Sequence, residues 1–153
     1  MDPAPQPTTD DDLKHVKPKF PKAAAGLTLL AGGLGVLTCV QIVTTVRIFS
    51  PLWVPMPYVL LVLGVALVVL ARSVFFARPW AAIGAMLVGA LQGVASLAWL
   101  VFAVTNGFIA LYAIWTPVWS LVAVGFCGAA LAPCVRAERV REKLQAEGMG
   151  LGL

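Results

Sequence analysis

The sequence predicts an all-α membrane protein with four transmembrane helices arranged as two tandem hairpins. Of its 153 residues, 60% are hydrophobic and 12% are charged, with a mean hydropathy of +0.91, whereas a soluble domain has about 25% charged residues. Charged residues lie in the terminal segments 1–22 and 136–147, and the exceptions are Arg47, Arg72 and Arg78. The region between contains four apolar stretches of about 20 residues or more, enough to cross a hydrocarbon core of about 30 Å.

The N-terminal segment 1–22 is rich in proline and in charged residues, and it has too little apolar surface to fold alone. We expect a disordered cytoplasmic tail that is a candidate contact for a partner. A signal peptide is not expected, because the apolar run starts late and follows the acidic cluster 10–12.

The first span is predicted over 24–46 and the second over 57–77. Three prolines within 51–57 separate the two spans, because proline lacks a backbone donor and resists helix. Arg72 falls inside the second span. We expect it either to mark the end of that span or to extend its guanidinium to the interface.

The third span is predicted over 80–104, and small residues recur at every fourth position of its first half. These four residues, here called the small-residue ladder, are Ala81, Ala85, Gly89 and Gly93. Small side chains let another helix backbone approach closely, which is how helices associate in lipid. The ladder, with Gly26, Gly32 and Gly35 of the first span, is therefore a predicted helix-packing surface. The pattern leaves open whether it faces inward or outward to a partner.

The fourth span is predicted over about 112–133, but its start is open. Asn106-Gly107 predicts a turn, so the helix can begin soon afterwards, at Phe108. Alternatively it begins at Thr116-Pro117, since threonine is a good N-cap and proline fits the first helical position. The charged segment 136–153 is predicted to continue this helix into the cytoplasm and to end as a tail.

The basic residues predict the orientation of the chain. With the N-terminus in the cytoplasm, the inner segments hold ten lysines and arginines and the outer segments hold only Arg47. Such an excess is typical of cytoplasmic segments, so both termini are expected there. Because these residues flank apolar spans rather than line one face, they do not indicate nucleic-acid binding, despite a pI near 9.3.

The two halves of the chain are similar when Pro21 is aligned with Pro79. After a loop insertion, the segments 50–53 and 116–119 also correspond, each with a proline two residues before a tryptophan. This repetition indicates an internal duplication, with a pseudo-twofold axis along the membrane normal. Chance similarity between apolar helices is the alternative.

Two short motifs carry a family resemblance. Arg78-Pro79-Trp80 opens the third span, and Pro133-x-Val135-Arg136 closes the fourth. In these motifs the chain resembles small four-span prokaryotic inner-membrane proteins of unknown function, over about residues 23–143. The resemblance implies a four-span fold in a bacterial inner membrane. It implies no activity and no site residues.

The residue types inside the spans exclude several chemistries. No Asp or Glu occurs between residues 13 and 137, and the only histidine, His15, lies in the tail. The spans therefore lack the side chains that three kinds of site require. These are a carboxylate for proton coupling, histidines to hold a haem or a metal, and a general base for a nucleophile. Cys39, Cys127 and Cys134 lack metal-ligand spacing and are expected to be buried small hydrophobes. We predict no enzyme, no cofactor and no metal.

Three functions stay open. The first is a structural or accessory subunit that associates, through small-residue helix faces, with a larger membrane complex or with itself. The second is a small oligomeric pore or carrier, with Gln41, Gln92 and Ser96 lining a path. These residues can instead form interhelical hydrogen bonds. The third is a lipid- or pigment-binding bundle with an apolar groove beside Trp99. Arg47 can contact a lipid phosphate or a partner, or extend to the outer interface.

Overall fold

The computed structural model describes residues 19–45, 55–107 and 111–146, and the structural statements below concern these residues. They form four α-helices, and each is long and apolar enough to cross a membrane. The helices are α1 (Lys19–Thr45), α2 (Met56–Phe75), α3 (Pro79–Thr105) and α4 (Leu111–Ala146).

Helix α1 includes the last four residues of the predicted disordered tail. Lys19 is its first residue, so the prediction of disorder is wrong for 19–22. Pro21 is compatible with this start, because the first-turn N–H groups of a helix have no carbonyl partner within it. The rest of the predicted tail lies outside the described residues.

Helix α4 is one continuous helix that includes both the fourth span and the charged segment as far as Ala146. It begins at Leu111, and Pro117 lies inside it. The alternative start at Thr116-Pro117 is therefore wrong, whereas Phe108 lies outside the described residues. The charged segment continues the helix without a break.

The helices form a four-helix bundle in which each packs against two principal neighbours. Helix α1 contacts α2 and α4, and α3 contacts the same two helices. Neighbours run antiparallel: Thr28 of α1 meets Cys127 of α4, and Thr38, nearly three turns later, meets Thr116, which lies earlier in α4. Contact across the bundle between α1 and α3 occurs where Gln92 reaches α1.

The backbones of α1 and α2 approach each other closely at Gly32 and Gly64. A Cβ added to Gly32 would lie 2.7 Å from the Gly64 carbonyl oxygen, and one added to Gly64 would lie 2.8 Å from that of Gly32. Real Cβ atoms do not approach an oxygen so closely. Glycine at both positions is thus what allows these two helices to pack at this distance, as small residues do in membrane bundles.

The outer surface of the bundle is apolar. Val62 is 66% exposed, Val94 70% and Leu121 63%. In water so large an apolar surface would drive aggregation, but in lipid it is the expected exterior because hydrocarbon chains cover it. The fold is that of a multi-pass membrane protein.

Candidate functional site

Among the residues that the structure describes, six polar side chains are fully buried, and we call them the polar seam. They are Thr28, Thr38, Gln92, Ser96, Thr116 and Ser120. The seam joins α1 to both α3 and α4. Since an unpaired polar group in a dry interior costs free energy, the hydrogen bonds of these residues indicate their role.

Two contacts of the seam join α1 to α4. The hydroxyl oxygens of Thr38 and Thr116 are 2.8 Å apart, and either can donate the hydrogen bond. Each also lies 2.8 Å from a carbonyl oxygen one turn back in its own helix. If one of the two hydroxyls donates to the other, the accepting hydroxyl can therefore donate its own proton to the carbonyl in its own helix. Nearly three turns away, the Thr28 hydroxyl lies 3.3 Å from the Cys127 thiol, which makes a second contact between the same helices.

Gln92 joins α3 to α1. Its Nε2 donates to the Ala31 carbonyl at 2.7 Å. The amide occupies the space that a side chain at Gly35 would need, because a Cβ there would lie 2.7 Å from Nε2. Ser96 donates to the Gln92 and Gly93 carbonyls within its own helix. Gln92 Oε1 and Ser120 Oγ have no hydrogen-bond partner among the described residues.

The three residues predicted to line a path do not form one lining. Gln92 and Ser96 are fully buried and packed between helices, whereas Gln41 is half-buried. Gln41 lies six residues beyond Gly35, where Gln92 meets α1, so the two glutamines are about 9 Å apart along the bundle. Arg47 lies outside the described residues.

The small-residue ladder faces inward, against α4. Its four residues are all buried. A Cβ on Gly89 would lie 3.0 Å from Val124 Cγ2, and one on Gly93 would lie 3.7 Å from Ser120 Cβ. The hypothesis that the ladder is an outward docking face is therefore wrong. Of the α1 glycines predicted to share this packing surface, Gly32 approaches α2 and Gly35 contacts Gln92 of α3.

Not every predicted packing glycine is in contact. A Cβ at Gly26 would meet no atom within 4 Å, and the same is true of Gly33 and Gly125. Gly26 and Gly125 are exposed and Gly33 is half-exposed. These glycines lie on the outer surface of the bundle.

Trp99, beside which an apolar groove is predicted, is fully buried, and its ring lies 5.3 Å from that of Phe102. A groove of about 410 Å³ lies on α4 beside the start of α1. It is lined by Phe20, Val122, Gly125, Phe126 and Ala129.

Basic side chains collect at one end of the bundle, which we call the basic end. Arg141 donates from Nη2 to the Phe76 carbonyl at 2.7 Å, and the Lys22 ammonium lies 5.6 Å from the Phe75 ring centroid. These contacts bring α1, α4 and the α2–α3 turn together. The side chains of the basic end are Lys22, Arg72, Arg78, Arg136, Arg139, Arg141 and Lys143. The opposite end holds no charged residue within the described ranges.

Gln92 and Ser96 are among the polar contacts that the sequence predicts, whereas the other four members of the seam, Thr28, Thr38, Thr116 and Ser120, are not. The sequence does contain a signal for the α1 members. Gly35 lies seven residues after Thr28 and three residues before Thr38, and these spacings place all three on one face of α1. Small and hydroxyl residues together on one face indicate a helix contact in membranes.

Comparison with protein-family models, curated proteins and solved structures finds no match to this chain. Within the ranges that the structure describes, no three His, Cys, Asp or Glu side chains lie close enough to hold a metal ion.

Proposed function

We propose that this chain is an integral membrane protein with a structural or accessory role, which associates with a larger membrane complex or with copies of itself. The observation that carries the proposal is the distribution of polar groups. Four of the six seam side chains make hydrogen bonds between helices, as Gln92 and Thr38 do, and the exterior between the two ends of the bundle is apolar. Such a protein offers other molecules its surface rather than an enclosed site.

The exposed face of α1 is the proposed association surface, in place of the ladder. Gly26 and Gly33 lie two turns apart on this face and have no atom near their Cβ positions. Leu30 and Leu37, on the same face, are 44% and 47% exposed. An exposed glycine beside exposed leucines forms a shallow hollow with raised sides, into which a helix from a partner can pack.

A pore or carrier is the weaker alternative. It requires Gln92 and Ser96 to face a lumen, whereas both are fully buried. A transported solute would need a second conformation in which α1 and α3 separate at Gln92. Flux that disappears when Gln41 and Gln92 are both replaced by leucine would revive this alternative.

We also propose the orientation and origin of the fold. The basic end is placed in the cytoplasm, since cytoplasmic segments carry the excess of Lys and Arg. Both termini then lie there, in a bacterial inner membrane as the family resemblance implies. The antiparallel contacts of α1 with α2, and of α3 with α4, support two tandem hairpins that arose by duplication.

Purification of the full chain in mild detergent, with the mass measured by light scattering, tests the proposed role. We expect an oligomer or a complex with a co-purifying membrane protein. Replacing Gly26 and Gly33 by leucine is expected to reduce it to the monomer. Gly125→Leu, on α4, is the matched control because that glycine is also open. A wild-type protein that is only a lone monomer would contradict the proposal.

A further inference from the structure

The exposed side of α4 changes from apolar to basic along one continuous stripe. Positions three and four residues apart share a helix face, and every position of this series is exposed. The α4 stripe consists of Gly125, Ala129, Ala132, Arg136, Arg139 and Lys143. An amphiphile that lay along α4 would therefore meet hydrocarbon-like and cationic surface in turn.

The groove on α4 lies at the apolar part of this stripe. One wall is the pair Phe20 and Phe126, whose rings stack with centroids 5.8 Å apart. Gly125 leaves the groove open, since no atom comes within 4 Å of its Cβ position. The lining is almost entirely apolar, so a methylene chain fits it better than a polar ligand does.

The apolar part of the stripe, from Gly125 to Arg136, is about as long as one leaflet of a bilayer. Eleven residues separate Gly125 from Arg136, which corresponds to about 16 Å along the helix. One leaflet contributes half of a hydrocarbon core of about 30 Å. A lipid whose acyl chain occupies the groove thus places its phosphate close to Arg136 and Arg139.

We propose that the α4 stripe binds an acidic phospholipid, with its phosphate at Arg136 and Arg139 and an acyl chain in the groove. Charge decides the class of lipid. The two arginines meet a net negative headgroup favourably, whereas a zwitterionic headgroup brings its own cation to the same place. Arginine also donates two parallel hydrogen bonds to phosphate oxygens. The proposal does not depend on the association of α1 with a partner.

Native mass spectrometry of the full chain in mild detergent, titrated with phosphatidylglycerol or phosphatidylcholine, tests this site. We expect tighter binding of phosphatidylglycerol. Arg136→Gln with Arg139→Gln should weaken it by about fivefold per arginine, the factor that corresponds to about 1 kcal/mol for each cation at the surface. Arg72→Gln removes an exposed cation of the same end from α2 and is expected to change little.

Gly125→Leu tests the groove, because the leucine side chain fills it without meeting the bundle interior. We expect the affinity for phosphatidylglycerol to fall by about threefold to tenfold, since the acyl chain loses its van der Waals contacts with the groove. Gly26→Leu, at an open glycine outside the groove, is the matched control. It should leave the lipid affinity unchanged, even where it abolishes the association proposed for α1.

Three results would overturn the proposal. One is equal affinity for the two lipids. Another is an effect of Arg72→Gln as large as that of the double variant, because the charge of the whole end would then suffice. The third is displacement of the lipid by glycerol 1-phosphate at equal concentration, because the acyl chain would then contribute nothing.

Discussion

Single hydroxyl and amide groups make the side-chain hydrogen bonds between these helices. In lipid no hydrophobic effect drives helices together, so packing and interhelical hydrogen bonds decide which faces meet. The Thr38–Thr116 pair is the shortest side-chain contact between α1 and α4 that the polar seam shows, at 2.8 Å. Because each hydroxyl also has a local carbonyl acceptor, the net value of the pair is expected to be modest.

A double-mutant cycle measures that value. Thr38→Val and Thr116→Val each remove one hydroxyl and keep a branched side chain. We expect a coupling energy of about 0.6 kcal/mol and at most about 1.7 kcal/mol, the range of such bonds in membranes. Reversible unfolding in mixed micelles gives the four free energies. Additive single and double variants would show that the hydroxyls do not interact.

Glycine at position 64 is required by the backbone of α1. Gly64→Ala places a Cβ 2.8 Å from the Gly32 carbonyl oxygen, so the helices must separate. We expect a loss of about 1–3 kcal/mol in the free energy of unfolding, as for an overpacked core. Gly26→Ala is the control, since its Cβ meets nothing. A stability equal in both variants would mean that the close approach of α1 and α2 is not needed.

At the scale of elements, α4 combines two roles in one helix. Its apolar part packs against α1 and α3, and its charged extension returns to the α2–α3 turn. There Arg141 donates to the Phe76 carbonyl at 2.7 Å and approaches that of Ala77 at 3.5 Å. The last carbonyls of a helix lack partners within it. Arg141 therefore supplies hydrogen-bond donors to the carbonyls at the end of α2, and these contacts hold the charged extension of α4 against the bundle.

Removing the guanidinium should loosen the extension without unfolding the bundle. For Arg141→Gln we expect amide hydrogen exchange in residues 137–146 to rise about fivefold, equivalent to about 1 kcal/mol for a partly solvated contact. Arg139→Gln, an exposed position on the same extension, should leave exchange unchanged. If amide exchange were equally slow in both variants, contacts other than those of Arg141 would hold the extension in place.

The sequence located the four spans but not the start of α4. Length and hydropathy determine a span, because few residues can be placed in hydrocarbon. The Thr116-Pro117 pair is a good helix start by local rules, yet the structure has Pro117 inside α4. There the Thr116 hydroxyl is engaged with Thr38 and with the Tyr112 carbonyl. A contact from another helix is invisible to a local rule.

At the scale of the whole molecule, charge distinguishes the two ends of the bundle. Within the described residues all cations lie at the basic end, which gives the chain a preferred direction in a membrane. The polar exposed turns at Arg78 and Asn106 lie at opposite ends. The side of the membrane that each turn faces can therefore be measured directly.

Cysteine labelling measures this direction. In a chain whose three buried cysteines are replaced by alanine, we expect a membrane-impermeant maleimide added to intact cells to label Asn106→Cys. Arg78→Cys should react only after the cells are opened. The reverse pattern would place the basic end outside and contradict the proposed orientation.

The direction of the small-residue ladder could not be predicted, because a helix face lined by Ala and Gly packs equally well inside a bundle or between proteins. Only the position of α4 decides it, and that position depends on contacts between residues distant in sequence, such as Gly89 and Val124. For the same reason the sequence marks Gln92 as a polar residue within a span but does not predict its hydrogen-bond partner, the Ala31 carbonyl.

Comparison of Gly89→Leu with Gly33→Leu tests most directly the claim that inner glycines hold the bundle and outer glycines meet other molecules. Both the thermal unfolding midpoint and the mass of the detergent-solubilised particle are measured. We predict that Gly89→Leu lowers the midpoint strongly or prevents folding, because Val124 occupies the space, and that Gly33→Leu keeps the midpoint and loses the associated mass. A Gly89→Leu protein that folds with an unchanged midpoint and only releases a partner would contradict the account.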